Sequence, residues 1–113
     1  MKLPNFEQAE IAEAKILVYL LNEAHQSNKG KAAFFLGFGF TLAAWHALAD
    51  AFRQQAAEND ITTTLATEHG IKYVIEGTIK TPDGRTPNIR TVWVVETNSN
   101  IPKLVTAYRL RKK

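Results

Sequence analysis

The chain contains no cysteine. That absence excludes disulfide cross-links, thiolate nucleophiles and any zinc site built on sulfur, and it suits a reducing compartment. No stretch reaches the roughly 18 unbroken apolar residues that a membrane helix requires, and residues 1–10 carry no apolar signal core. A cytoplasmic protein with no membrane segment is the expectation. Several signatures of chemistry are missing as well. The sequence has no phosphate-cradling glycine loop, no dinucleotide fingerprint, no HExxH and no nucleophile elbow. His25, His46 and His69 do not stand at metal-ligand spacing from one another, so neither a metal nor a cofactor is expected.

What is present is an ordinary globular composition. The 113 residues are 45% hydrophobic and 22% charged, which disfavours disorder and fits one domain over residues 1–113. The net charge of +3 is unevenly placed. Residues 1–57 hold five basic and five acidic groups, whereas residues 58–113 hold nine basic and six acidic groups. Lys103, Arg109, Arg111, Lys112 and Lys113 close the chain with no acid among them. Such a cluster attracts phosphate, and it serves equally as a solubilising tail over residues 111–113.

The periodicity changes part-way along. Ile11, Ala14, Leu17, Val18 and Leu21 recur at helical spacing, with Asn5 placed to cap and Glu7, Glu10 and Glu13 near the positive end of the helix dipole. This predicts a helix over Phe6–Leu21. A short helix over Lys31–Leu36 is broken by Gly37-Phe38-Gly39. Thr41 is the expected N-cap of a third helix running to about Glu58, with Leu42, Trp45, Leu48, Ala49, Phe52 and Ala56 as its apolar stripe. Beyond Asn59-Asp60 the period becomes two. Residues 61–69 are ambiguous, and strands are expected from Ile71 to about Lys80, over Ile89–Thr97 and over Lys103–Leu110. Thr81-Pro82-Asp83-Gly84 reads as a turn. Apolar groups on both faces of the second of these strands suit a central position. The predicted architecture is α+β, with three N-terminal helices packed on one face of a three- to four-stranded antiparallel sheet: a helical half over 1–58 and a sheet half over 61–110.

Candidate site residues fall in two places. His25 lies in a polar connector near Lys29 and Lys31, where nearby cations favour the neutral imidazole, so it is either a base or a plain surface histidine. Arg90 shares a strand face with Val92 and Val94 and needs an anion or a carboxylate partner there. Thr106 and Tyr108 put two hydroxyls on one face of the last strand, either for a ligand or as ordinary strand formers. His46 is expected to pack or face solvent within the third helix, and His69 to sit in a loop.

The segments LLNEAHQSNKGKAAFFLGFG (20–39), GIKYVIEGTI (70–79), IRTVWVVE (89–96) and IPKLVTAYRL (101–110) together resemble an uncharacterised bacterial domain family. Its layout is similar to the barnase–EndoU–colicin–RelE type of ribonuclease fold, which occurs in bacterial toxins. Glu23-Ala24 stand where the resemblance would put a proline. The resemblance implies a metal-independent ribonuclease-like domain acting on RNA on the sheet face away from the helices. His25 would then be base or acid, Lys31 and Arg90 would hold the phosphate, and Thr106 and Tyr108 would orient the substrate. It also implies a cognate antitoxin-like protein partner. The alternatives are a binding module anchored by Tyr73, Trp93 or Phe34-Phe35, and a non-catalytic nucleic-acid binder using the basic end. Either a monomer or a homodimer paired through the last strand fits.

Overall fold

A computed structural model of the chain describes residues 1–21 and 29–110, without the side chains of 18, 19 and 29–31. The architecture is α+β. A short 3-10 turn (Phe6–Gln8) and a π-helical segment (Lys15–Leu20) precede α1 (Lys29–Gly37) and α2 (Trp45–Glu58). Four strands follow: β1 (Ile61–Thr67), β2 (Gly70–Thr78), β3 (Asn88–Glu96) and β4 (Lys103–Arg109). They form one antiparallel sheet in the order β1-β2-β3-β4, so every strand pairs with its sequence neighbour. No described helix is long and apolar enough to cross a membrane.

The helix expected over Phe6–Leu21 is not continuous. Asn5 adopts a left-handed φ of 54° and makes no capping bond to the following turn. Its side-chain amide instead donates to the Asn100 carbonyl at 2.8 Å. Glu10 then lies alongside the sheet in a parallel bridge to Lys103. Its N–H donates to the Pro102 carbonyl at 2.8 Å, and its carbonyl accepts from the Leu104 N–H at 3.0 Å. Backbone groups that a helix would pair internally are thus paired with Pro102 and Leu104 at the start of β4, and helical periodicity gives way to a sheet-edge contact. This segment also covers the start of β4, the strand through which the homodimer alternative would pair.

The short helix and its glycine stop are present: α1 ends at Gly37, and Gly39 takes a φ of 97° that only glycine adopts without cost. A Cβ at Gly39 would lie 3.1 Å from the Pro82 Cβ, so the β2–β3 loop packs directly on this break. Arg85 fastens it, donating to the Gly37 carbonyl at 3.0 Å with its guanidinium 4.3 Å from the Phe38 ring centroid. Thr41 accepts a hydrogen bond from the Ala44 N–H at 3.1 Å, but α2 begins only at Trp45. Leu42 consequently lies outside the apolar stripe and is exposed.

The stripe of α2 (Leu48, Ala49, Phe52, Ala56) is buried against Ile75, Ile89, Trp93 and Ala107 of the sheet. Each large apolar side chain fully buried there contributes on the order of 1.5–3 kcal/mol. Gln55 is buried in the same layer, 1% exposed, yet fully satisfied. Its amide donates to the Ile89 carbonyl at 2.7 Å and the Gly77 carbonyl at 3.2 Å. Its carbonyl accepts from the Thr91 hydroxyl at 2.7 Å, and that hydroxyl accepts from the Trp93 indole N–H at 2.8 Å. This network fixes the helix on the strand that carries Arg90.

One strand face differs from simple alternation. The β3–β4 register shifts between Val92 and Trp93, so Val105 is an extra residue opposite that step. Leu104 and Thr106 therefore do not share a face. Leu104 joins buried Ala107 on the helix side, opposite Trp93, whereas Thr106 pairs with Val92 and Tyr108 with Arg90 on the other.

Candidate functional site

The sheet face away from the helices is covered by no described element. Pleating assigns it Thr63 and Leu65 of β1, Lys72, Val74 and Glu76 of β2, Arg90, Val92 and Val94 of β3, and Lys103, Thr106 and Tyr108 of β4. Cross-strand register arranges these into rows. Glu76, Arg90 and Tyr108 form the first row, Thr63, Val74, Val92 and Thr106 the second, and Leu65, Lys72, Val94 and Lys103 the third.

The first row is a connected cluster. Arg90 Nε donates to Glu76 Oε2 at 2.7 Å, and its terminal nitrogen makes a second, ion-paired bond to the same oxygen. The other terminal nitrogen donates to the Tyr108 hydroxyl at 3.2 Å, and the guanidinium lies 5.6 Å from the Tyr108 ring centroid. The hydrogen bond to Tyr108, followed by the one to Glu76, pushes the guanidinium pKa still higher. The cluster remains accessible: the Arg90 and Glu76 side chains are 36% and 29% exposed. It combines a carboxylate able to take a proton, a fixed cation able to face an anion, and a phenol able to donate.

The sequence-predicted residues divide accordingly. Arg90 and Tyr108 are in direct contact, and Thr106 occupies the neighbouring row of the same face. Lys31 lies in the first turn of α1, where its main chain alone is described. His25 lies outside the described residues. Glu76 was missed, although it is the partner that Arg90 required. Its alternation with Ile75 already put it on the polar face of β2. What the sequence did not show was the register across the long β2–β3 connection, which sets Glu76 opposite Arg90. His46 is exposed and stacks on Trp45, with ring centroids 3.9 Å apart. His69 is exposed in the β1–β2 turn. Of the aromatic anchor candidates, Trp93 and Phe35 are fully buried and Tyr73 nearly so, which commits them to the core. Phe34 packs edge-on against Phe35 and Phe38.

No group of three metal-ligating side chains occurs among the described residues. A cleft of about 630 Å³ lies where the N-terminal segment meets α2 and the start of β4, lined in part by Glu10, Arg53 and Lys103. Its two cations are already engaged. Arg53 donates to the Ala9 carbonyl at 3.2 Å and to Asp50 at 3.3 Å, and Lys103 lies 2.9 Å from a Glu96 carboxylate oxygen, whose hydrogen bond raises the lysine pKa.

Residues 2–111 match the family described as a domain of unknown function (DUF6883). The chain belongs to this family. No curated protein matches it. Among solved structures, the domain is similar to a chain of a contact-dependent growth inhibition toxin–immunity protein complex from Klebsiella pneumoniae 342. The TM-score is 0.70 at 17% sequence identity, over 95% of this chain and 97% of that chain. At that identity the likeness establishes a shared fold across nearly the whole length of both.

Proposed function

We propose that this DUF6883 domain is a toxin-type, metal-independent endoribonuclease whose active surface is the open sheet face. The observation that carries the reading is the Glu76–Arg90–Tyr108 cluster, three strands contributing one proton acceptor, one cation and one hydroxyl to a single accessible row. Stability gives little reason for such a cluster. A part-exposed ion pair contributes about 0–1 kcal/mol at most, and the helix face holds the core without it. The structural likeness to a member of a toxin–immunity complex supports a role of that kind.

In the proposed reaction Glu76 accepts the ribose 2′-OH proton, and the 2′-oxygen attacks the adjacent phosphorus. The bond from phosphorus to the 5′-oxygen breaks, and that oxygen takes a proton, leaving a 2′,3′-cyclic phosphate and a free 5′-hydroxyl. Arg90 faces the phosphate oxygens as negative charge grows on them, the step at which a positioned cation is most effective. Tyr108 and Thr106 hold the substrate by hydrogen bonds. His25 is the proton donor to the leaving oxygen, and Lys31 is a second phosphate contact. A cognate protein partner, of the kind in the neighbour's complex, would silence the domain by covering this face.

The test is cleavage of RNA by the purified domain in the presence of a metal chelator, with the ends of the products identified. New 5′-hydroxyl and 2′,3′-cyclic phosphate ends, lost in Glu76→Gln protein, are expected. Intact RNA under all conditions, or equal cleavage by the Glu76→Gln protein, overturns the proposal.

A further inference from the structure

The open face continues beyond the cluster, and its third row holds a cation with no assigned task. Lys72 is half-buried on β2, opposite Val94, and has no carboxylate partner among the described residues. The other lysine of that row, Lys103, is taken by Glu96. Lys72 stands four residues from Glu76 on the same strand face, a separation of about 13 Å at the usual strand rise. Between the two rows lie half-buried Val74 and Val92, side by side, with the hydroxyls of Thr63 and Thr106 at the outer ends of their row. Along the strands the surface therefore reads cation, apolar floor, cation.

We propose that Lys72 is a second phosphate subsite for single-stranded RNA lying along the strands. The scissile phosphate is at Arg90, a base rests on Val74 and Val92, and a phosphate on the order of two nucleotide steps away is at Lys72. This deepens the ribonuclease reading above and rests on it for the position of the scissile phosphate. Spacing and pairing state support this placement. A single strand unstacked from a helix presents alternating anionic and apolar groups, and this face presents their complements in the same order. Lys72 is half-buried as a residue and pairs with no carboxylate among the described residues, so a phosphate would supply its counter-ion.

Two measurements on the full chain separate the possible outcomes. In the first, kcat/KM is compared for an RNA of about eight nucleotides and for a dinucleotide too short to reach the third row. The octamer-to-dinucleotide ratio should fall about tenfold in Lys72→Ala protein and stay unchanged in Lys80→Ala protein, which alters an exposed cation off the face. An unchanged ratio in Lys72→Ala protein overturns the subsite while leaving the ribonuclease reading intact. In the second, the octamer, fluorescently labelled, is titrated in Glu76→Gln background across a range of salt. Loss of one single-strand phosphate contact should reduce the slope of log affinity against log salt by about 0.7 on adding Lys72→Ala. If wild-type protein cleaves no RNA and the slope still falls, the subsite stands and the catalytic reading fails. No binding of the octamer, or an unaltered slope, overturns the subsite.

Discussion

The two faces of the sheet use their polar groups in opposite ways. On the helix face, Gln55, Thr91 and the Trp93 indole are buried, and each bond they make is to another protein group. Their removal leaves unpaired polar atoms in a dry layer, so they fix the structure. On the open face, Glu76, Arg90 and Tyr108 form a comparably connected cluster with solvent access. Screening makes that cluster nearly neutral for folding. Polar groups that stability does not require, gathered in register on a face that no described element covers, are the candidates for chemistry.

Substitutions on the helix face should therefore act on stability first. Trp93→Ala removes the largest fully buried side chain and should cost about 3–5 kcal/mol in urea unfolding. A cost under 1 kcal/mol would show that β3 does not anchor the core. Gln55→Leu is next: it leaves the Thr91 hydroxyl without its acceptor and takes a second donor from the Ile89 and Gly77 carbonyls, a penalty of about 1–3 kcal/mol. A neutral result would mean that water or a shifted side chain satisfies those atoms as well as the amide does.

Open-face substitutions sharpen the contrast. Glu76→Gln should alter unfolding free energy by less than about 1 kcal/mol, since the pair is part-exposed. A loss comparable to that of Gln55→Leu would make the cluster a structural device. The smallest effect belongs to the β2–β3 loop. Bonds from Arg85, the largest cause, together with the Thr81 hydroxyl hold the Asp83 carboxyl down to about 2 from an ordinary 3.8. A depressed carboxylate stabilises the fold above its unfolded pKa, and the contribution disappears as pH falls from near 4 through about 2. The melting-temperature gap between wild type and Asp83→Asn should be constant above about pH 5 and close over that interval. A gap undiminished at pH 2 would exclude the Asp83–Arg85 contact as its source.

How much of this was legible in the chain depends on where the physics was local. The α2 stripe, the Gly37–Gly39 break, the Thr81–Gly84 turn and the central position of β3 all follow from spacing or from one residue's backbone preference. The N-terminal helix failed because its main chain found partners in Pro102 and Leu104, which helical periodicity does not report. The extra residue at Val105 was invisible because Leu104, Val105 and Thr106 fit either register by side-chain type alone. β1 was ambiguous because six of its seven residues are exposed, so no alternation marks a buried face. For the site, Arg90's need of an anion was legible from its apolar neighbours. Its partner was not, since the β2–β3 connection does not fix which β2 residue meets it.

In this division of labour the open face acts and the helix face holds. The most direct test is Arg90→Ala protein assayed on one preparation for urea unfolding and for RNA cleavage under chelation. Stability within about 1 kcal/mol of wild type and cleavage reduced by at least about a hundredfold are expected. A protein that loses several kcal/mol of stability yet cleaves RNA at the wild-type rate once folded would contradict it.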